Sequence, residues 1–106
     1  MRVLFDQGTP TPLRKCLVSH QVVTTFELGW STLTNGELLE QAEAAGFEVF
    51  VTTDQRLRYQ QNLKGRTIAV IVLTTTSWPR ILQVASAISD AVGSVVAGLY
   101  IEIPIP

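Results

Sequence analysis

The sequence predicts an α/β fold with a parallel or mostly parallel sheet and helices on both faces. Three observations carry this. Strand and helix patterns alternate along the whole chain, in the order β-α-β-α-β-(α)-β-α-β. The segment TIAVIVL at 67–73 is almost wholly apolar, as a central strand covered on both faces must be. The chain has 106 residues, 46% apolar and only 16% charged, which suits one packed domain (1–106) rather than disorder.

The elements follow in order. Residues 2–5 (RVLF) form a first strand, stopped by the polar turn Asp6-Gln7-Gly8-Thr9-Pro10. Residues 12–19 set Leu13, Leu17 and Val18 against Arg14 and Lys15 and read as a helix. Residues 21–25 (QVVTT) are rich in β-branched side chains and predict a strand. A loop through Glu27, Gly29, Trp30 and Thr34 leads to an amphipathic helix at 35–45, with Leu38, Leu39, Ala42 and Ala45 on one side and Gly46 as its stop. Residues 47–52 (FEVFVT) are a strand, and polar residues 54–62 a short helix or turn. After the buried strand at 67–73, a helix over 78–92 turns Ile81, Leu82, Ala85, Ile88 and Val92 inward, with Pro79 in its first turn. Residues 95–103 are the last strand, and Pro104 and Pro106 end pairing.

Composition excludes several classes. Eight Lys+Arg against nine Asp+Glu give a net charge of −1, which excludes a basic nucleic-acid arm and a polyacidic tail. There is no stretch of apolar residues long enough to span a membrane and no signal-peptide pattern at the N-terminus, so the expected location is the cytoplasm. The single cysteine, Cys16, excludes an internal disulfide and reads as a packed small hydrophobe. His20 has no Ser or Cys nucleophile at a triad spacing. Trp30 and Trp78 are apolar anchors, for the core or for a partner.

Ligands of open α/β sheets bind outside the carboxyl ends of the strands. Asp6 follows the first strand, Glu27 the second and Asp54 the third, and Glu37 lies on the first turn of the next helix. Four acids therefore gather at one rim. Carboxylates so placed repel, and a hard divalent ion such as Mg²⁺ or Mn²⁺ relieves the conflict and suits oxygen ligands. Such an ion supports phosphodiester hydrolysis. Each acid also has a structural reading. Asp6 can bond its own turn. Glu37 completes Thr34-Asn35-Gly36-Glu37, a capping box. Asp54 can cap the segment after it, and Glu27 can be a solvated loop residue. Beside Asp54, the residues Arg56, Arg58, Lys64 and Arg66 bring four of the eight basic residues into eleven positions, interleaved with Tyr59 and amides. That composition suits phosphate contacts and base stacking on single-stranded RNA. A solvated polar helix has the same composition.

The segments RVLFDQGTP, ELGWSTLTNGELLEQAEAAGF and VFVTTDQRL resemble the small bacterial PIN-like family. Its members read strand-Asp-Glu-Asn-x-Pro, then a Ser-Asp-x-Glu-Ile/Leu helix start, then strand-Thr-x-Asp-x-Asp-Phe. The resemblance spans nearly the whole chain and implies a three-layer α/β/α PIN-like fold. It also implies a Mg²⁺- or Mn²⁺-dependent ribonuclease, of a kind often found as a toxin paired with a small antitoxin. Asp6, Glu37 and Asp54 match the family's acids and are the expected catalytic and metal-holding residues. Arg56, Arg58, Tyr59 and Lys64 are the expected RNA contacts. Asn35 and Arg56 stand where the family has acids, and Gln7 replaces a Glu. These departures support a second expectation, a catalytically silent protein- or RNA-binding module. A phospho-acceptor receiver domain ranks below both, because paired acids after the first strand and a Lys after the fifth are missing. The apolar end VVAGLYIEIPIP needs cover if its strand lies at the sheet edge, which predicts a homodimer or an antitoxin contact there.

Overall fold

The computed structural model describes residues 1–57, 63 and 65–106. It is an α/β fold built on a five-stranded sheet in which every pairing is parallel, in the order β2-β1-β3-β4-β5. The strands are β1 (Arg2–Phe5), β2 (Gln21–Thr24), β3 (Val49–Thr52), β4 (Ala69–Leu73) and β5 (Tyr100–Ile103). β3 and β4 are buried at every position, which is why their sequences run apolar without alternation.

The strands separate two cores, giving three layers. On one face Val3, Phe5, Val49, Val51, Ile71 and Leu73 pack under a 3₁₀ helix (Thr11–Cys16) and two helices, α2 (Trp78–Gln83) and α3 (Ala85–Ser94). On the other face Leu4, Phe50, Val70 and Val72 pack under α1 (Asn35–Ala44) and Leu57. Successive strand residues enter opposite cores, as the period of two requires. Both tryptophans serve these cores: Trp78 packs on the first and Trp30 on the second, edge-on to Phe47 at 6.2 Å. Cys16 is partly buried against the first.

α1 is bounded as its sequence predicts. Thr34 and Glu37 form a reciprocal capping box at its start. At its end Phe47 N–H bonds the Ala42 carbonyl at 3.0 Å and Gly46 N–H bonds Glu43 at 3.1 Å. This six-to-one, five-to-two pair needs a left-handed residue, and Gly46 supplies it at φ 83°. Glu43 ties α1 to the start of β4. Its carboxylate accepts from Arg66 Nη1 at 2.8 Å, Thr67 Oγ1 at 2.9 Å, Ile68 N–H at 3.2 Å and Thr67 N–H. Burial alone would raise its pKa, but these bonds outweigh burial and bring it from 4.5 down to about 2.

Four expectations are corrected. The segment at 12–19 is a 3₁₀ helix over Thr11–Cys16, because Pro10 and Pro12 lack N–H groups and the run is too short for α-helical bonding to take over. The helix expected over 78–92 is two helices, broken at Val84 (φ −118°, ψ 18°), a β-branched residue of low helix propensity. Leu82 is not inward but 51% exposed, while Ile81, Ala85, Ile88 and Val92 are buried. The last strand begins only at Tyr100, because Gly98 turns the chain at φ 77° just before it.

β5 does lie at the sheet edge. Part of the apolar end is covered by the chain itself: Ile105 is buried in the first core, and its N–H donates to Thr74 Oγ1 at 2.8 Å. Arg80 donates to the Ile105 and Pro106 carbonyls at 3.0 and 2.7 Å. Among the described residues, no helix is long and apolar enough to cross a membrane.

Candidate functional site

With β1 between β2 and β3, the strand order reverses direction at the β1/β3 boundary. In such sheets the crevice outside the carboxyl ends of those two strands is the expected ligand site. Asp6 follows β1 and Asp54 stands two residues past β3. One hydroxyl links the Asp6 carboxylate to the main chain of Asp54. Thr52, the last residue of β3, donates from Oγ1 to Asp6 Oδ2, and the same oxygen accepts from Asp54 N–H at 3.0 Å. Thr52 is 1% exposed, while Asp6 and Asp54 are half-buried, so the bridge runs from the core out to the rim.

Each carboxylate is further oriented. Asp6 Oδ1 accepts from Thr9 N–H at 3.0 Å and Thr9 Oγ1 at 2.7 Å. Asp6 therefore closes its own turn while facing β3. The turn lies close against that strand's end: a Cβ on Gly8 would stand 2.4 Å from Thr53 Oγ1. Asp54 Oδ1 accepts from Arg56 N–H at 2.9 Å, a local turn, and Oδ2 accepts from Asn35 Nδ2 at 3.3 Å. Asn35 thus reaches Asp54 from the first turn of α1, as an amide rather than an acid.

The other expected residues are placed differently. Glu37 Oε1 accepts from Thr34 N–H at 3.0 Å and Thr34 Oγ1 at 2.8 Å, and these bonds hold its pKa below the ordinary carboxylate value. Its capping role is therefore realised. Glu27 pairs with Arg14 and accepts from Thr24 N–H at 2.9 Å, and the Arg14 bond is the main reason its pKa is lowered. Among the described residues no three His, Cys, Asp or Glu side chains form a group able to hold a metal ion. Arg56 is exposed just after Asp54, while Arg58, Tyr59 and Lys64 lie outside the described residues.

The donor set is thus two carboxylates. An ionised carboxylate offers about four lone-pair positions. The bonds above leave one position on Asp6 Oδ2 and one on each Asp54 oxygen. Mg²⁺ is commonly held by one or two carboxylates while it keeps several waters, so a donor set of two carboxylates suits a hydrated ion better than an all-protein cage.

Sequence reasoning missed the cleft beside this pair. A cavity of about 720 Å³ opens between the 3₁₀ helix and the turn after β2, lined by Asp6, Arg14, Lys15, Thr25, Phe26 and Glu27 among others. A smaller hollow of about 170 Å³ lies on the other side of Asp6, toward Trp30 and Asn35. The available signal was Phe26, a large aromatic following the strand among polar residues. Thr52 and Thr9 carried no signal, since a threonine ending a strand is ordinary. Compared with known proteins, the chain matches no family model, no curated protein and no solved structure.

Proposed function

We propose that the chain is a divalent-ion-dependent ribonuclease of PIN-like type. The observation that carries this reading is the Asp6–Thr52–Asp54 bridge at the carboxyl ends of β1 and β3. Asp6 and Asp54 hold a hydrated Mg²⁺ or Mn²⁺, and Glu37, engaged in its capping box, reaches the ion only through water. When bound, the ion supplies positive charge against a phosphate and a water more acidic than bulk. Thr9 and Thr52 keep Asp6 in one rotamer, Asn35 Nδ2 steadies Asp54, and Arg56 offers a cation to the RNA backbone. The purified protein is expected to cleave end-labelled RNA with Mn²⁺ or Mg²⁺. Excess EDTA stops the reaction, and Asp6→Asn and Asp54→Asn each reduce it at least about 100-fold, the scale of losing a charge that acts in the transition state. Equal cleavage by Asp6→Asn sinks the assignment.

A second reading is a binding module without catalysis. It is favoured by the engagement of Glu37 with Thr34 and by Asn35 and Arg56 where the PIN-like pattern has acids. It predicts no Mn²⁺ binding by calorimetry. A receiver domain shares the strand order but requires a second acid where Gln7 stands and a Lys where Pro104 follows β5. A toxin role in the cytoplasm, an antitoxin partner and a homodimer through the β5 edge belong to the same proposal. A monomeric mass by light scattering at high concentration removes the homodimer.

A further inference from the structure

The cleft beside Asp6 holds features that its fold alone does not explain. Phe26 stands on its wall 80% exposed, although the chain has two apolar cores in which to bury an aromatic ring. Thr25 is only 2% exposed, and its Oγ1 is buried with no hydrogen-bond partner among the described residues. Arg14 Nε is buried and unpartnered in the same sense, although the outer nitrogens of that guanidinium engage Glu27. Buried polar atoms of this kind are rare in native structures and call for an explanation. Both residues line the same cavity, as does Asp6. Lys15 brings a second cation to the wall, and Arg14 is already neutralised by Glu27.

A ligand that matches the open wall of this cleft has a flat ring for Phe26 and an anionic oxygen for Lys15. A nucleotide has this set. We propose that the β1–β2 cleft is the subsite for the RNA nucleotide next to the cleaved phosphate, its base stacked on Phe26 and its phosphate against Lys15. That the strand is RNA rests on the ribonuclease reading above; that a nucleotide sits here rests on the cleft itself. The subsite lies on the β2 side of Asp6, across the switch point from Arg56.

The test measures binding separately from cleavage. A fluorescein-labelled single strand of about six nucleotides is titrated with protein in EDTA and followed by anisotropy, at about 50 and about 200 mM salt. Phe26→Ala is expected to weaken RNA binding about 5- to 150-fold, the range of one lost base–aromatic stack, while Phe26→Tyr stays within about twofold of wild type. Lys15→Ala is expected to lower the slope of log affinity against log salt by about 0.7. Phe26→Ala within about twofold of wild type overturns the proposal, as does an equal loss in Phe26→Tyr. Equal binding of the matching DNA strand overturns the assignment to RNA. Cleavage is assayed in parallel: Phe26-dependent binding without cleavage keeps the subsite and removes the ribonuclease, and cleavage indifferent to Phe26→Ala at low RNA does the reverse.

Discussion

Replacing Thr52 by Val removes one hydroxyl and almost no volume, and it takes the bridge out of the site. Two groups lose a partner. Asp6 Oδ2 loses the Thr52 donor, a bond to a charged group worth about 1.5–3 kcal/mol. Asp54 N–H loses its acceptor in a part-buried position, at roughly 1 kcal/mol. Burying the added methyl group returns about 0.8 kcal/mol at most. The net loss is about 2–3 kcal/mol, which for a domain near this size lowers Tm by about 10–20 °C. Urea and thermal unfolding followed by circular dichroism measure it. Thr52→Ser is the control: it keeps the hydroxyl and loses one methyl group, at about 1 kcal/mol. If the proposed ribonuclease reading holds, ion-dependent cleavage by Thr52→Val is expected to fall more than its stability explains, because Asp6 is then held by Thr9 alone. A Thr52→Val protein as stable as wild type, or a Thr52→Ser protein as damaged as Thr52→Val, refutes the bridge.

Two further outcomes follow from geometry elsewhere. The Glu43 carboxylate, lowered from 4.5 to about 2, contributes stability that is fully present above pH 4.5 and is lost as pH falls through about 2. Glu43→Gln is therefore less stable than wild type at pH 7, by roughly 2 kcal/mol after solvent screening, and the gap in urea midpoints closes near pH 2. A gap that persists unchanged in acid removes this account. Gly8→Ala presses a methyl group onto Thr53 Oγ1 and costs about 1–3 kcal/mol, and Thr53→Ala in the same chain recovers most of it. Additive effects of the two changes count against a direct clash.

The sheet was legible because burial on both faces writes itself into composition: AVIVL is short, apolar throughout and rich in β-branched residues, as a central strand is. The capping box at Thr34 and the stop at Gly46 were equally legible, since each depends on residues within a few positions. The break at Val84 was not, because the apolar spacing from Ile81 to Val92 suits one straight helix as well as two bent ones. Within the site, Asp6 and Asp54 could be placed from strand ends alone. Their link could not, because Thr52 acquires its partners from residues 46 and two positions away. Glu37 shows the opposite limit. Its local pattern fitted a cap and a ligand alike, and only coordinates could report how its oxygens are used. The cleft at Phe26 depends on the 3₁₀ helix, which periodicity read as α-helical.

The Thr52 bridge has a consequence for how this chain can change over time. Asp6, Phe26 and Asp54 each lie one or two residues beyond the end of a strand, so they can be exchanged while the two cores stay intact. Thr52 is different, being both the last rung of a buried strand and the support of a carboxylate. At that one position the support of Asp6 and upkeep of the fold draw on the same residue, so a change there that alters the rim requires compensating stabilisation elsewhere.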